Sequence, residues 1–153
     1  MLYIVEGADG SGKTTFINQF TADLNEEDFV CWRSNRKLKN QYKVWNDLKK
    51  LSKRKIVITD RSFISEIIYR AIKYDKLNTI NLKEIAKLLD ENITIIYCKN
   101  DNAYANAKKR GEIYVRSAEE HKKISIAYDV IMEMIKQFTT SKVIEYNYNK
   151  YGE

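Results

Sequence analysis

Three of the chain's five glycines fall between residues 7 and 12, in the stretch GADGSGKTT, and they dictate what surrounds them. Just before, LYIVE (Leu2 to Glu6) is a short apolar run of the kind that forms a strand buried on both faces. Just after, Thr14 to Leu24 puts Phe16, Ile17, Phe20 and Leu24 on one side of a helix. A strand that turns sharply into a helix needs residues that tolerate positive φ, which glycine supplies. Gly7, Gly12, Lys13 and Thr14 also satisfy the spacing G-x-x-x-x-G-K-[ST].

That spacing has a physical reading. Consecutive backbone N–H groups turn inward around an anion, and the helix that follows adds the partial positive charge of its N-terminus. Lys13 is set to reach the outer phosphates and Thr14 to ligate Mg²⁺. The expected ligands are ATP and Mg²⁺, with Gly7, Asp9, Gly10, Ser11, Gly12, Lys13, Thr14 and Thr15 as the ATP-binding set.

Four more apolar runs read as strands: Phe29 to Trp32, Lys55 to Asp60, Ile93 to Cys98 and Lys142 to Asn147. Between them lie helical patterns. Val44, Trp45, Leu48 and Leu51 share a face, Ser62 to Leu77 and Asn81 to Asn92 follow, and Asn102 to Arg110 stops at Gly111. Asn81 and Ser117 stand as N-caps, the latter opening a long amphipathic helix. Five strands alternating with helices predict an α/β fold, a five-stranded parallel sheet with helices on both faces, because parallel neighbours need helix-sized crossovers. Ligands then bind at the carboxyl ends of the strands, where Glu6, Asp60 and the polar segment after Cys98 fall.

With 153 residues, 44% of them hydrophobic and none of them proline, the chain has the size of one domain, taken as 1–153. The net charge of +6 is spread along the length, which reads as a solvated, mildly basic surface or as one that attracts phosphates or nucleic acid. Cys31 and Cys98 lie in apolar segments with no metal or CxxC spacing and are expected as buried free thiols. His121, the only histidine, is expected as a solvated surface residue. No segment approaches a membrane span, so a cytoplasmic protein is expected.

The glycine loop is shared by motors, switches, ATPases and small-molecule kinases. The chain lacks an hhhhDE strand of the ATPase kind and an NKxD guanine-reading motif. It has instead ITDRSFISEIIYR. An acid and an arginine at a strand end suit phosphoryl transfer: Asp60 can hold Mg²⁺ or its water, and Arg61 can pair with a second phosphate bidentately.

These residues carry a resemblance to thymidylate kinases. EGADGSGKTT is similar to that family's EG-x-[DE]-G-x-GKTT, including the acid at Asp9. DRSFISEIIYR resembles DRY-x-x-S-x-x-x-YQ at Asp60, Arg61, Ser65 and Tyr69, and ITIIYCKNDNAYANAKKRGE resembles the strand, helix and RGE leading into the lid. The resemblance spans about Leu2 to Asn147 and implies a three-layer P-loop kinase fold with a lid at about 108–118. It implies that Lys13 and Thr14 serve the ATP phosphates and Mg²⁺, and that Asp60 sits beside the metal. It also implies that Asp9 lies near the acceptor's sugar 3′-hydroxyl and that Arg61 grips the acceptor phosphate. With Gly at position 10, catalytic basic residues come from the lid, where Lys109, Arg110 and Arg116 are candidates; the plain alternative is a solvated helix end interacting with its own dipole.

The chain departs from the family pattern at Ser62, where an aromatic is usual, and at Arg70, where a base-facing glutamine is usual. WRSNRK replaces a proline-containing loop, making Arg33 or Arg36 a source of an arginine for the acceptor phosphate. The short segment between the second and third strands leaves Trp32, Tyr42 and Trp45 as substitutes for the aromatic that stacks on the base, although their spacing favours the core. The leading expectation is phosphorylation of a deoxynucleoside monophosphate, thymidylate or a modified deoxyuridylate. The alternatives are a deoxynucleoside kinase with Asp60 as base, a kinase acting on nucleic acid, and a nucleotide-dependent switch. A homodimer is the protein partner considered.

Overall fold

A computed structural model describes residues 1–34, 41–74, 76, 80–111 and 117–147, the side chains of residues 41 and 42 excepted. Arg36, the Tyr42 side chain and Arg116 lie outside the described residues. The elements in chain order are β1 (Leu2–Glu6), α1 (Lys13–Thr21), β2 (Phe29–Arg33), α2 (Gln41–Leu51), β3 (Ile56–Asp60), α3 (Phe63–Lys73), α4 (Leu82–Lys87), β4 (Ile93–Lys99), α5 (Ala103–Arg110), α6 (Ala118–Phe138) and β5 (Lys142–Asn147).

All five strands pair in parallel, in the order β2-β3-β1-β4-β5. The first strand is therefore central, and the glycine loop leaves the sheet between β3 and β4. Val5 stands opposite Asp60 and Glu6 opposite Tyr97, so the polar ends of three strands meet at one edge. Strand alternation divides the core. Leu2, Ile4, Val57 and Ile95 face one way, into a cluster with side chains of α2, α3, α4 and α6 such as Trp45, Ile68, Ile85, Ile124 and Ile131. Val5, Ile58, Ile96 and Cys98 face the other way, against Ile17, Phe16 and Phe20 of α1. Each fully buried aliphatic side chain contributes about 1.5–3 kcal/mol, which makes these two faces the main source of stability.

Several helices are shorter than their sequence patterns. α1 stops at Thr21, whose hydroxyl donates to the Ile17 carbonyl, and a tighter turn follows in which the Leu24 amide donates to Thr21. α4 gives way to tighter turns in which the Leu88 and Leu89 amides donate to Ile85 and Ala86 three residues back. Asn81 and Ser117 do cap α4 and α6, accepting from the amides of Lys83 and Glu120. Gly111 ends α5 in the left-handed conformation. Trp45 is core, its indole donating to the Leu88 carbonyl at 2.9 Å. One thiol differs from expectation: Cys98 is buried, but Cys31 is exposed, because β2 is an edge strand with one neighbour missing. Among the described residues, no helix is long and apolar enough to cross a membrane.

Candidate active site

The loop from Gly7 to Thr14 is shaped by positions that only glycine fills. Gly12 opens α1 at φ 95°, and Gly10 has φ 79° with its α-carbon against α5. A Cβ at Gly10 would lie 2.0 Å from the Ala103 carbonyl oxygen and 2.8 Å from the Ala107 nitrogen. Within the loop, the Lys13 ammonium donates to the carbonyls of Gly7 at 3.1 Å and Ala8 at 3.0 Å. Burial, followed by the nearby charge of Arg61, lowers its pKa from 10.5 to about 8. Ser11 Oγ is buried without a hydrogen-bond partner among the described residues. Thr14 is exposed on the first turn of α1, with Thr15 half-buried beside it.

Opposite the loop stands Arg61, directly after β3. Its amide continues the sheet by donating to Val5, but its φ of 69° is left-handed, the only positive φ outside glycine among the described residues. Such a conformation costs about 1–3 kcal/mol and persists only where its surroundings fix it. Those surroundings are specific. The guanidinium donates to the Gly7 carbonyl at 3.3 Å, to Ser65 Oγ at 3.2 Å and to Asp9 Oδ1 at 2.5 Å, and it lies over the Tyr69 ring at 5.1 Å. Asp9 is 4% exposed, and its second oxygen, Oδ2, is buried with no partner among the described residues.

Beneath Arg61 lies Glu6, fully buried at the end of β1. It accepts from Ser62 Oγ at 2.6 Å, the Ser65 amide at 3.2 Å, Ser65 Oγ and Tyr128 Oη at 2.8 Å. A buried carboxylate persists only when its lone pairs are met and a countercharge is close, and these four donors with Arg61 above meet both conditions. Ser62, where the sequence departs from the thymidylate-kinase pattern, thus serves Glu6 and also caps α3.

His121 is buried, not solvated as expected. Its Nε2 lies 2.9 Å from the Asp9 carbonyl, and its ring meets Tyr104 edge-on at 5.4 Å. A carbonyl can only accept, so Nε2 carries the proton and donates. The signal was present in the sequence: His121, Ile124, Tyr128, Ile131 and Ile135 form the buried stripe of α6. One polar ring on an apolar stripe therefore ties α6 to the loop.

A cleft of about 290 Å³ gathers most of the predicted residues: Asp9, Gly10, Ser11, Gly12, Lys13, Thr14, Arg33, Asp60, Arg61 and Arg110 all line it. Asp60 ends β3 and pairs at 3.9 Å with Arg33, whose side chain is 78% exposed and able to reorient. Arg110 reaches the cleft from the last turn of α5. Ser65 and Tyr69 sit below Arg61 and support it, away from the cleft lining. Arg70 is not brought to the cleft either: it is 70% exposed on α3 and pairs with Glu66 at 3.0 Å. Among the described residues, no group of three or more His, Cys, Asp or Glu is arranged to hold a metal ion.

No family model matches the chain, and no curated protein matches it. Solved structures do. The YorR protein of Bacillus subtilis, solved in complex with phosphorylated GDP, is 20% identical with a TM-score of 0.69, the match covering 99% of this chain and 88% of that one. A deoxyadenosine kinase from M. mycoides with bound dATP is 18% identical over 95% of this chain and 91% of the other, with a TM-score of 0.63. A thymidylate kinase from Ehrlichia chaffeensis is 20% identical over 95% and 86%, with a TM-score of 0.54. The sheet order, the glycine loop after its central strand and these likenesses together give the chain the fold of the P-loop nucleotide kinases.

Proposed function

We propose that this chain is a phosphotransferase, a single kinase domain over 1–153 with a lid at about 108–118, that moves the γ-phosphoryl group of ATP to a deoxynucleoside monophosphate. Thymidylate, the acceptor its sequence resemblance implies, is one member of that class. The observation that carries the reading is Arg61: a half-buried guanidinium, fixed in a left-handed backbone by Asp9, Ser65 and Gly7, that faces the same cleft as Lys13. One cation serves the donor's phosphates and the other the acceptor's.

The residues suit ATP and Mg²⁺. Ser11 Oγ is a buried polar atom of the loop with no partner among the described residues, and Gly7, Gly10 and Gly12 all hold positive φ, as expected of a backbone shaped to cradle phosphates. Thr14 and Asp60 are the side chains that would hold Mg²⁺, which keeps waters and phosphate oxygens as its other ligands and needs no all-protein cage. Bound there, the ion would act as a Lewis acid and offset the negative charge of the phosphates.

The acceptor's phosphate oxygen is already anionic, so the transfer needs no protein base. What the chain supplies is position and charge. Lys13 meets the outer phosphates, Arg61 holds the acceptor phosphate, and Arg33, with Arg36 beside it in sequence, adds a second cation there. Ser65 and Tyr69 orient Arg61 from below. Asp9, through Oδ2, accepts from the acceptor's sugar hydroxyl. Arg110, with Arg116 further along the lid, spreads positive charge over the group in flight. Purified protein with ATP, Mg²⁺ and a panel of monophosphates is expected to form ADP well above the acceptor-free rate; equal rates with and without every acceptor would end the proposal. A second reading, favoured by the place of Asp60 on the cleft, makes that carboxylate the base for a nucleoside hydroxyl. Formation of a monophosphate from a nucleoside would establish it instead.

A further inference from the structure

A second cavity, of about 190 Å³, lies alongside α3 and shares no lining residue with the phosphate-loop cleft. Its apolar walls are Trp45 of α2, Phe63 and Ile67 of α3, and Leu88. The Trp45 and Phe63 rings meet edge to face, with centroids 5.0 Å apart. Because the indole N–H is already taken by the Leu88 carbonyl, these walls ask nothing polar of an occupant. They suit a flat, apolar-faced ring.

The polar groups are of one dominant kind. Glu66 follows Phe63 by one helical turn and Arg70 follows Glu66 by another, so all three share a face of α3. Glu66 Oε1 accepts from Arg70 at 3.0 Å, whereas Oε2 is buried with no hydrogen-bond partner among the described residues. A buried carboxylate oxygen without a donor is costly until a ligand brings one. Glu84 lines the same cavity, so two carboxylates stand against one guanidinium. The cavity wants a donor, and beside it an acceptor for Arg70.

We infer that this cavity takes the acceptor's base, and that the base carries an exocyclic amino group, as cytosine, adenine and guanine do and thymine does not. The inference rests on the monophosphate-kinase reading, which puts the acceptor's phosphate at Arg61, two residues ahead of Phe63. The amino N–H donates to Glu66 Oε2. The ring nitrogen next to it in cytosine or adenine, or O6 of guanine, accepts from Arg70. Thymine offers a single donor, N3–H, set between two carbonyl oxygens, so a carboxylate approaching it meets like partial charge on both sides. Glu66 is a specificity residue in this account, and Arg70 regains a role in acceptor recognition through Glu66.

The test is ADP formation by the full chain with dCMP, dAMP, dGMP, dTMP and dUMP, for wild type and Glu66→Gln. Wild type should favour at least one amino-bearing monophosphate over dTMP and dUMP by about tenfold or more in kcat/KM. Glu66→Gln, near-isosteric and able to present N–H in place of Oε2, should lower that acceptor about tenfold and raise dTMP. Arg70→Met, at an exposed position, should narrow the preference while folding normally. Wild type using dTMP as well as the best amino-bearing acceptor would overturn the inference, as would a Glu66→Gln protein that is folded by circular dichroism and keeps its preference. Should no monophosphate be turned over, quenching of Trp45 emission in a Trp32→Phe background decides the matter. Quenching by deoxycytidine, deoxyadenosine or deoxyguanosine but not thymidine upholds the base pocket while the monophosphate reading falls, and no quenching by any of them overturns both.

Discussion

Asp9→Asn isolates the carboxylate oxygen of the phosphate loop that has no donor among the described residues. In the native protein Oδ1 is held by Arg61, whereas Oδ2 is buried and unmet among the described residues. Asparagine keeps an oxygen for Arg61 and presents N–H₂ where Oδ2 was, so a sugar hydroxyl arriving there would lose its acceptor. A hydrogen bond to a charged group contributes about 1.5–3 kcal/mol, and about 1.4 kcal/mol is a factor of ten, so acceptor binding should weaken roughly ten- to hundredfold. ATP should be affected less than about threefold, because the loop's other anchor, the His121 ring on the Asp9 carbonyl, is a backbone contact that the substitution leaves in place. Steady-state kinetics with each substrate varied in turn separates the two KM values, and a thermal melt checks the fold. The reasoning fails if acceptor KM is unchanged while ATP KM rises, since Asp9 would then serve the donor loop alone.

Lys13 is charged below a pKa of about 8 and neutral above it, so ATP affinity measured by calorimetry should fall as pH rises from about 7 to about 9, and Lys13→Met should abolish that slope. The same depressed pKa means that the unfolded chain binds this proton more tightly than the folded one, so this group's contribution to stability should rise between pH of about 8 and 10.5. Glu6→Gln would set an N–H₂ group among four donors and leave Arg61 short of countercharge, at a cost of about 3–5 kcal/mol in urea unfolding. Gly10→Ala should be markedly worse than Gly111→Ala in the same unfolding measurement: both have positive φ, at about 1–2 kcal/mol, but only the former drives a Cβ into α5, while the latter meets none of the described residues within 4 Å.

The local parts of this architecture were legible because their causes are local. The glycine loop, the five apolar runs and the caps at Asn81 and Ser117 each follow from neighbouring residues, and the alternation of strands and helices leads to a parallel sheet. The order of the strands was not readable, since it depends on crossover packing. Within the site, Lys13, Asp60 and Arg61 announce themselves as charges beside a loop or at a strand end. Glu6 was read only as a strand end: its four hydrogen bonds come from Ser62, Ser65 and Tyr128, far away in sequence, and no pattern links them. His121 was misread by its polarity although its helical spacing marked it as buried. Cys31 was misread for the opposite reason, since an apolar neighbourhood says nothing about standing on an edge strand. Arg70 stands out in the sequence as a departure at a base-facing position, but its pairing with Glu66, rather than a place on the phosphate cleft, needed the helix in three dimensions.

The contact between Gly10 and α5 makes that helix a strut. α5 is braced on the phosphate loop through Ala103 and Ala107 and finishes at Gly111, where an added Cβ would meet none of the described residues within 4 Å. The reach of Arg110 is thereby measured from the loop itself, not from the chain that follows. Any displacement of the loop is carried along a single short helix to Arg110 on the cleft, so the loop and that cation keep a common origin of coordinates.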